Sequence, residues 1–121
     1  MNNIYNFTIF NERFYTEYKS YFTHNNQLYN LNKLIRISND NTIYKVNVNK
    51  LKWILKYSNI YRKRVLNANI NIPILVTKIG KRYYILDGAH RLKKALNNDI
   101  KYIKVKFISK EMLDMCKINK N

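Results

Sequence analysis

The stretch from residue 74 to residue 96 constrains the fold more than any other part of this chain. Residues 74–79 and 82–86 are rich in β-branched, aliphatic and aromatic side chains, and a Gly-Lys turn separates them, which predicts a β-hairpin. Behind Asp87-Gly88 the apolar residues change to helical spacing. The face that this helix would bury consists of Leu92, Ala95 and Leu96. The sequence therefore predicts a hairpin whose second strand runs directly into a helix.

The junction between this strand and this helix is a candidate anion site. The first amides of a helix have no partner inside the helix, and the helix dipole leaves partial positive charge there. Asp87 lies at the expected N-cap position, and Gly88 would let a ligand approach the backbone. The residues expected to bind a phosphate or nucleotide here are Gly88, Ala89, His90, Arg91 and Lys93. Arg91 is the leading candidate, because a guanidinium pairs with phosphate oxygens through a planar fork.

Each residue of this corner also has a purely structural interpretation. Asp-Gly is a common hairpin dipeptide, so Asp87-Gly88 also fits a plain turn. A single histidine such as His90 is often a surface residue without a function. The structural alternative for Arg91 is a salt bridge to Asp87 or Asp99. These alternatives stay open at the level of the sequence.

The rest of the chain predicts an α+β fold, a small mixed β-sheet with flanking helices. Residues 42–48 and 101–107 alternate between apolar and polar side chains, which predicts strands. Helices are expected at 50–57 behind an Asn49 cap, at 60–67, and at 110–118 behind Ser109. The side chains expected to point inward from the first two of these helices are Leu51, Ile54, Leu55, Tyr61, Val65 and Leu66.

Residues 1–41 are expected to form a helical or extended arm, and residues 42–121 a single domain. An amphipathic helix is predicted at 11–22, where Phe14, Tyr18 and Tyr21 share one face. Another turn or two of helix is predicted from Leu28, Leu31, Leu34 and Ile35. The polar stretch 38–41 then marks the boundary between arm and domain.

The charge balance predicts a polyanionic partner. Lys and Arg number 23 against seven Asp and Glu, a formal net charge of +16, which favours nucleic acid over anionic lipid. The clusters expected to follow a nucleic-acid backbone contain Lys50, Lys52, Lys56, Arg62, Lys63, Arg64, Lys104 and Lys106. The nearby rings of Trp53, Tyr57 and Tyr61 are possible stacking platforms for bases, although their spacing fits the margin of a core better. Lys104 and Lys106 equally suit an edge strand protected from aggregation.

The composition also predicts in which cellular compartment the protein is found. Cys116 is the only cysteine, which excludes an internal disulfide and fits a reducing environment. The chain shows neither a signal-peptide pattern nor a membrane span, so an intracellular protein of the cytoplasm or nucleoid, without a membrane partner, is expected. Abundant Asn, Lys, Ile and Tyr indicate AT-rich coding of the kind found in some viruses and organelles.

The segment Asp87-Gly88-Ala89-His90-Arg91, within the order strand, helix, hairpin, helix, strand, resembles the core of the ParB/sulfiredoxin superfamily over about residues 44–109. The resemblance implies phosphate contacts from Gly88, His90 and Arg91, with Asp87 as cap or metal-positioning group. It also implies a nucleoside triphosphate with Mg²⁺ as the ligand, or else no cofactor. Ala89 stands where sulfiredoxins carry their catalytic cysteine, which excludes sulfinic acid repair. The chain also lacks the length for the helix-turn-helix and dimerisation domains of the partition-type proteins.

Three functions follow from these observations. The first is a nucleic-acid-associated domain that binds a nucleotide or backbone phosphate at the corner, with either DNA or RNA as its partner. The second is a metal-dependent nuclease or phosphotransferase in which Asp87 and His90 are catalytic, although no metal-ligand spacing is recognisable. The third is a structural RNA-binding subunit of an organellar or viral assembly, with the arm contacting a protein partner. The scarcity of acidic residues favours the first and third.

Overall fold

The computed structural model describes residues 21–119, which belong to two compact units. One unit contains residues 21–39 and 110–119, and the other contains residues 40–109. The predicted division into an arm of residues 1–41 and a domain of residues 42–121 stays a prediction. Within the described residues, no helix combines the length and the apolar character that crossing a membrane requires.

The described part of the first unit begins with a tight hairpin. Strands β1 (Tyr21–His24) and β2 (Gln27–Asn30) pair in antiparallel register around Asn25 and Asn26, whose φ angles are 51° and 63°. Two positive φ angles are what a two-residue hairpin turn requires, and asparagine tolerates them better than most residues. Of the helix predicted at 11–22, residues 11–20 lie outside the described residues, and residues 21 and 22 are strand instead.

The described part of this unit also contains two short helices, α1 (Leu31–Ile37) and, at the other end of the chain, α4 (Lys110–Met115). The side chain of Asn30 caps α1 by accepting a hydrogen bond from the Lys33 amide at 3.0 Å. The predicted helical turn at Leu28 is therefore wrong, because Leu28 lies in β2 and the helix begins at Leu31. The predicted helix 110–118 ends early, since residues 116–118 instead form backbone hydrogen bonds with β2.

The second unit contains a four-stranded mixed sheet in the order β3-β6-β4-β5. Its strands are β3 (Ile43–Asn47), β4 (Ile74–Ile79), β5 (Arg82–Asp87) and β6 (Tyr102–Phe107). The pairs β3–β6 and β4–β5 are antiparallel, and β4–β6 is parallel. The small mixed sheet with flanking helices confirms the predicted α+β class, and the predicted hairpin is present as β4 and β5.

The helical segments of this unit are two 3₁₀ segments, Val48–Lys50 and Lys52–Tyr57, followed by α2 (Arg62–Asn67) and α3 (Ala89–Asn97). The prediction of one α-helix capped by Asn49 is wrong. The Asn47 side chain instead accepts a hydrogen bond from the Asn49 amide at 2.8 Å, which turns the chain directly after β3.

Fewer side chains of α2 and its flanks are buried than predicted. Val65 is buried, but Leu66 is 62% exposed and Tyr61, which precedes the helix, is 56% exposed. The prediction of inward Tyr61 and Leu66 is therefore wrong, because a helix of six residues presents only one side to its neighbours. Its last carbonyl groups are bound by Lys94, whose Nζ donates to Leu66 O and Ala68 O at 2.9 and 2.8 Å.

The core lies between the sheet and the helical segments. Its fully buried side chains include Ile74 and Val76 of β4, Val105 of β6, and Leu92 of α3. Leu92 and Ala95 confirm the predicted apolar face of α3, and Leu96 packs at the margin of the core. Each fully buried aliphatic side chain of this kind contributes about 1.5–3 kcal/mol. Ile74 of this core also lies against Gly88, so the packing fixes the position of the β5–α3 junction.

Candidate nucleic-acid interface

The predicted phosphate corner is the junction where β5 ends at Asp87 and α3 begins at Ala89. Gly88 lies between them with a φ angle of +119°, a left-handed conformation that residues with a Cβ rarely adopt. The position that a Cβ would take is already occupied by the Ile74 side chain. Glycine is therefore required here for close packing against β4. The Ile74 side chain, not a ligand, fills the space that the missing Cβ leaves.

Asp87 does not cap α3 as predicted. Gly88 occupies the N-cap position, where no side-chain hydrogen bond is made, and the Asp87 carboxylate accepts a hydrogen bond from Arg91 Nη2 at 2.9 Å. This cap prediction is wrong, because Asp87 is still the last residue of β5 and the N-cap position falls one residue later, at Gly88.

Arg91 connects three segments of the chain. Its Nη2 donates to Asp87 at the end of β5, and its Nη1 donates to the carbonyl oxygen of Pro73 before β4, each at 2.9 Å. The Arg91 side chain is only 17% exposed. A phosphate would have to compete with both acceptors for this guanidinium. The salt bridge to Asp87, one of the alternatives from the sequence, is present, and phosphate binding by Arg91 stays a prediction.

His90 contacts the start of α2. Its unprotonated Nε2 accepts a hydrogen bond from the Tyr61 amide at 3.2 Å, and the two rings stack with centroids 6.1 Å apart. Partial burial, together with the nearby Arg64 charge, lowers the pKa of His90 below its usual value. The neutral imidazole is thus favoured, and its Nε2 already holds a backbone amide in place.

Binding of a magnesium nucleotide at the corner stays a prediction, and the contacts of the corner residues oppose it. The Asp87 carboxylate is paired with Arg91, and a metal ion would have to break that pair to use the same oxygen. Asp87 and His90, the predicted catalytic pair, contact Arg91 and Tyr61 respectively. Among residues 21–119, no group of three or more His, Cys, Asp or Glu side chains could hold a metal ion.

Cationic side chains converge instead at the turn of the β4–β5 hairpin. An open groove of about 510 Å³ lies beside this turn. The residues that line it are Lys50, Trp53, Lys78, Lys81, Arg82 and Tyr83. Four of the six are cationic at neutral pH and none is acidic, so the groove favours an anionic ligand.

Aromatic rings hold two of these cations in place. The Arg82 guanidinium lies over the Trp53 ring at 4.6 Å from its centroid, and Lys78 Nζ lies over the Tyr83 ring at 5.6 Å. Cation–π contacts of this kind restrict the side chains before a ligand arrives, which lowers the entropy lost on binding.

Trp53 is itself fixed by two further rings. Its ring makes edge-on contacts with Tyr84 at 5.5 Å and with Tyr57 at 6.1 Å between centroids. Trp53 is half-buried, whereas Tyr57 is 78% exposed. The structure therefore places Trp53 at the margin of the fold and Tyr57 largely in solvent, next to the groove.

The cations predicted from the sequence lie mostly elsewhere in this unit. Exposed positions on the second 3₁₀ segment and on α2 are occupied by Lys52, Lys56, Arg62, Lys63 and Arg64. Half-exposed positions on β6 are occupied by Lys104 and Lys106, and Lys93 is half-buried on α3. Only Lys50 of the predicted clusters lines the groove.

Sequence reasoning missed Lys78, Lys81 and Arg82. The signal was available, because three cations surround the single glycine of a predicted hairpin turn. A hairpin turn brings both strand ends together, so cations before and after it must share one end of the sheet. Their meeting with Lys50 and Trp53 depends on tertiary packing and has no local signal.

The chain matches no family model, and no curated protein and no solved structure is significantly similar to it. The resemblance to the ParB/sulfiredoxin superfamily therefore rests on the short motif and the order of elements, and it stays a hypothesis.

Proposed function

We propose that the second unit binds the phosphodiester backbone of a nucleic acid, with the groove beside the β4–β5 turn as its main contact surface. The observation that carries this proposal is the convergence of Lys50, Lys78, Lys81 and Arg82 on one groove without a lining carboxylate. Like charges held together repel each other, and a bound polyanion relieves that repulsion.

The character of the rest of the surface supports a polymer rather than a small anion. The chain carries a net charge of +16, and the cations on the second 3₁₀ segment and on α2 are exposed. A small anion would satisfy only the groove, whereas a polyanion contacts several basic segments at once and releases counterions from each contact.

Phosphate binding at the β5–α3 corner is a secondary part of the proposal. The first backbone hydrogen bond of α3 runs from the Leu92 amide to Gly88 O, so the amides of Ala89, His90 and Arg91 precede it. Those amides carry the partial positive charge of a helix N-terminus. The bonds that Arg91 makes with Asp87 and Pro73 oppose this role, and the groove is therefore the stronger candidate.

The first test compares two lysine substitutions that each remove one exposed charge. Lys81→Gln removes a groove cation, and Lys101→Gln removes an exposed cation that does not line this groove. Because an exposed charge contact is worth up to about 1 kcal/mol, we expect Lys81→Gln to weaken binding of a labelled oligonucleotide about fivefold. Lys101→Gln should weaken it less than twofold. Fluorescence anisotropy of the full chain at fixed salt measures both affinities.

The two possible failures of this test have different meanings. Equal losses from Lys81→Gln and Lys101→Gln would show that binding follows net charge alone and that the groove has no special role. The absence of oligonucleotide binding by the wild-type chain at low salt would overturn the proposed function. The structural RNA-binding alternative makes the same prediction with an RNA oligonucleotide and without turnover.

A further inference from the structure

We infer that the groove binds single-stranded nucleic acid in preference to duplex, with an unpaired base stacked beside Trp53 and Tyr57. This inference rests on the proposed function and specifies its ligand. It depends on Trp53, which lines the groove, and on Tyr57, which contacts Trp53 from outside the lining, whereas backbone binding depends on the cations.

The exposure of Tyr57 is the first observation behind it. At 78%, Tyr57 is the most exposed of the large apolar side chains in the described part of the chain. Its ring makes a T-shaped contact with Trp53, at 6.1 Å between centroids. Such a ring contributes little to the core, and its open face suits a base, since every base has a π-face.

The Arg82–Trp53 pair is the second observation. Bases that are not paired stack on aromatic rings and on guanidinium planes. Arg82 already lies over Trp53, at 4.6 Å from the ring centroid, so the groove contains a preformed cation–π pair of a guanidinium and an indole. Tyr84 makes a T-shaped contact with the indole at 5.5 Å between centroids, which helps to fix the position of Trp53.

The arrangement of charge around these rings is the third observation. Lys50, Lys78 and Lys81 line the same groove as the Arg82–Trp53 pair. Phosphates of a strand can therefore contact lysines while a base lies against the rings, which is the combination found in single-strand binding sites. The groove volume of about 510 Å³ lies within the range of about 300–1,000 Å³ typical of ligand sites, which is room enough for a nucleotide.

A duplex cannot use this surface in the same way. In a base-paired helix the faces of the bases are covered by their neighbours, and a side chain reaches them only if a step is unstacked. A duplex would thus contact the cations and leave the rings without partners. Single strands gain the stacking contribution in addition to the electrostatic one.

The fluorescence of Trp53 provides the direct measurement, because Trp53 is the only tryptophan in the chain. The full chain is titrated with a single-stranded oligothymidylate, with a duplex of the same length, and with inorganic polyphosphate. We expect the single strand to quench Trp53 emission and to bind about tenfold more tightly than the duplex. Polyphosphate should displace the single strand without comparable quenching, since it carries the charge but no bases.

Substitutions at Tyr57 separate stacking from charge. Tyr57→Leu should weaken single-strand binding about tenfold and leave duplex binding unchanged, because it removes a π-face and no charge. Tyr57→Phe should bind like the wild type. Tyr57 does not line the groove itself but contacts Trp53, which does. Tyr102→Leu is the matched control, as Tyr102 is 57% exposed on β6 and lines a different cavity. Circular dichroism verifies that each variant is folded. We expect them to fold, because the side chains of Tyr57 and Tyr102 are exposed.

The outcomes test two claims separately, base stacking at the groove and backbone binding by the cations. Equal affinity for single strand and duplex, or equal quenching by oligothymidylate and polyphosphate, would overturn the stacking inference and leave backbone binding intact. A Tyr57→Leu variant that binds single strands like the wild type would also overturn it. Failure of all three polyanions to bind would overturn the proposed function itself.

Discussion

At the scale of single residues, Gly88 and Arg91 belong to a sequence motif that suggests phosphate binding, but both make contacts that stabilise the fold. Gly88 makes room for Ile74, and Arg91 joins Asp87 and Pro73 across the junction. Both roles stabilise the position of α3 against the sheet. The motif therefore has a structural explanation that does not depend on a bound phosphate.

Gly88→Ala should be strongly destabilising. The new methyl group would collide with Ile74, and the φ angle of +119° is strained for alanine, so we expect a loss of about 3 kcal/mol. Gly80→Ala is the matched control, because its φ angle is +63° and nothing lies within 4 Å of the added Cβ. That change should cost about 1 kcal/mol. Urea unfolding of the two variants measures the difference, and equal losses would contradict the packing role of Gly88.

At the scale of secondary-structure elements, the helical segments hold one another through side-chain bonds to backbone groups. Lys94 of α3 binds the last carbonyl groups of α2, and His90 of α3 binds the Tyr61 amide at the start of α2. A six-residue helix is too short to be stable alone. These contacts at both ends explain why α2 forms although its sequence buries only Val65.

The His90 contact makes this region sensitive to pH. The pKa of His90 is lowered in the folded chain, so between the usual value of 6.5 and that lowered value the unfolded chain binds more protons. Stability should therefore be complete above pH 6.5 and should decrease as the pH falls through this window. Urea unfolding at pH 7.5 and pH 5.5 should show the decrease in the wild type and a smaller one in His90→Gln.

The contribution of His24 to the pH dependence has to be measured in the same experiment. Burial lowers the pKa of His24 as well, and its effect on stability has the same sign. The chain has only these two histidines, so His24→Gln and the double variant complete the comparison. If His90→Gln keeps the full pH dependence of the wild type, the bond to Tyr61 does not couple protonation to folding.

At the scale of the whole molecule, the excess of positive charge should appear as salt dependence. For a single strand, the logarithm of the binding constant falls with the logarithm of salt concentration by about 0.7 for each phosphate neutralised. Four groove cations therefore give a slope of about −3, or about a fiftyfold loss of affinity between 50 and 200 mM salt. Anisotropy titrations across that range measure the slope.

The value of that slope distinguishes two modes of binding. A slope steeper than about −5 would show that cations beyond the groove also contact phosphates. The candidates for such contacts are Lys52, Lys56, Arg62, Lys63 and Arg64. A slope near zero would contradict an electrostatic interaction of any kind.

The sequence by itself determined the elements whose signals are local. The β4–β5 hairpin and the apolar face of α3 follow from periodicity, which reflects only which side chains share a face. The net charge likewise indicates a polyanionic partner without reference to the fold. The segment 50–57 shows the limit, because helical spacing does not distinguish an α-helix from 3₁₀ segments fixed by a turn at Asn47.

Only the tertiary structure decided which charges act together. The segment that carries Lys50 and Trp53 packs against β5, and this packing brings two residues about thirty positions upstream next to Lys78, Lys81 and Arg82. It likewise decided that the Arg91 guanidinium binds Asp87 and Pro73. Contacts between segments far apart in the chain depend on the three-dimensional packing of the core, and local sequence patterns do not contain that information.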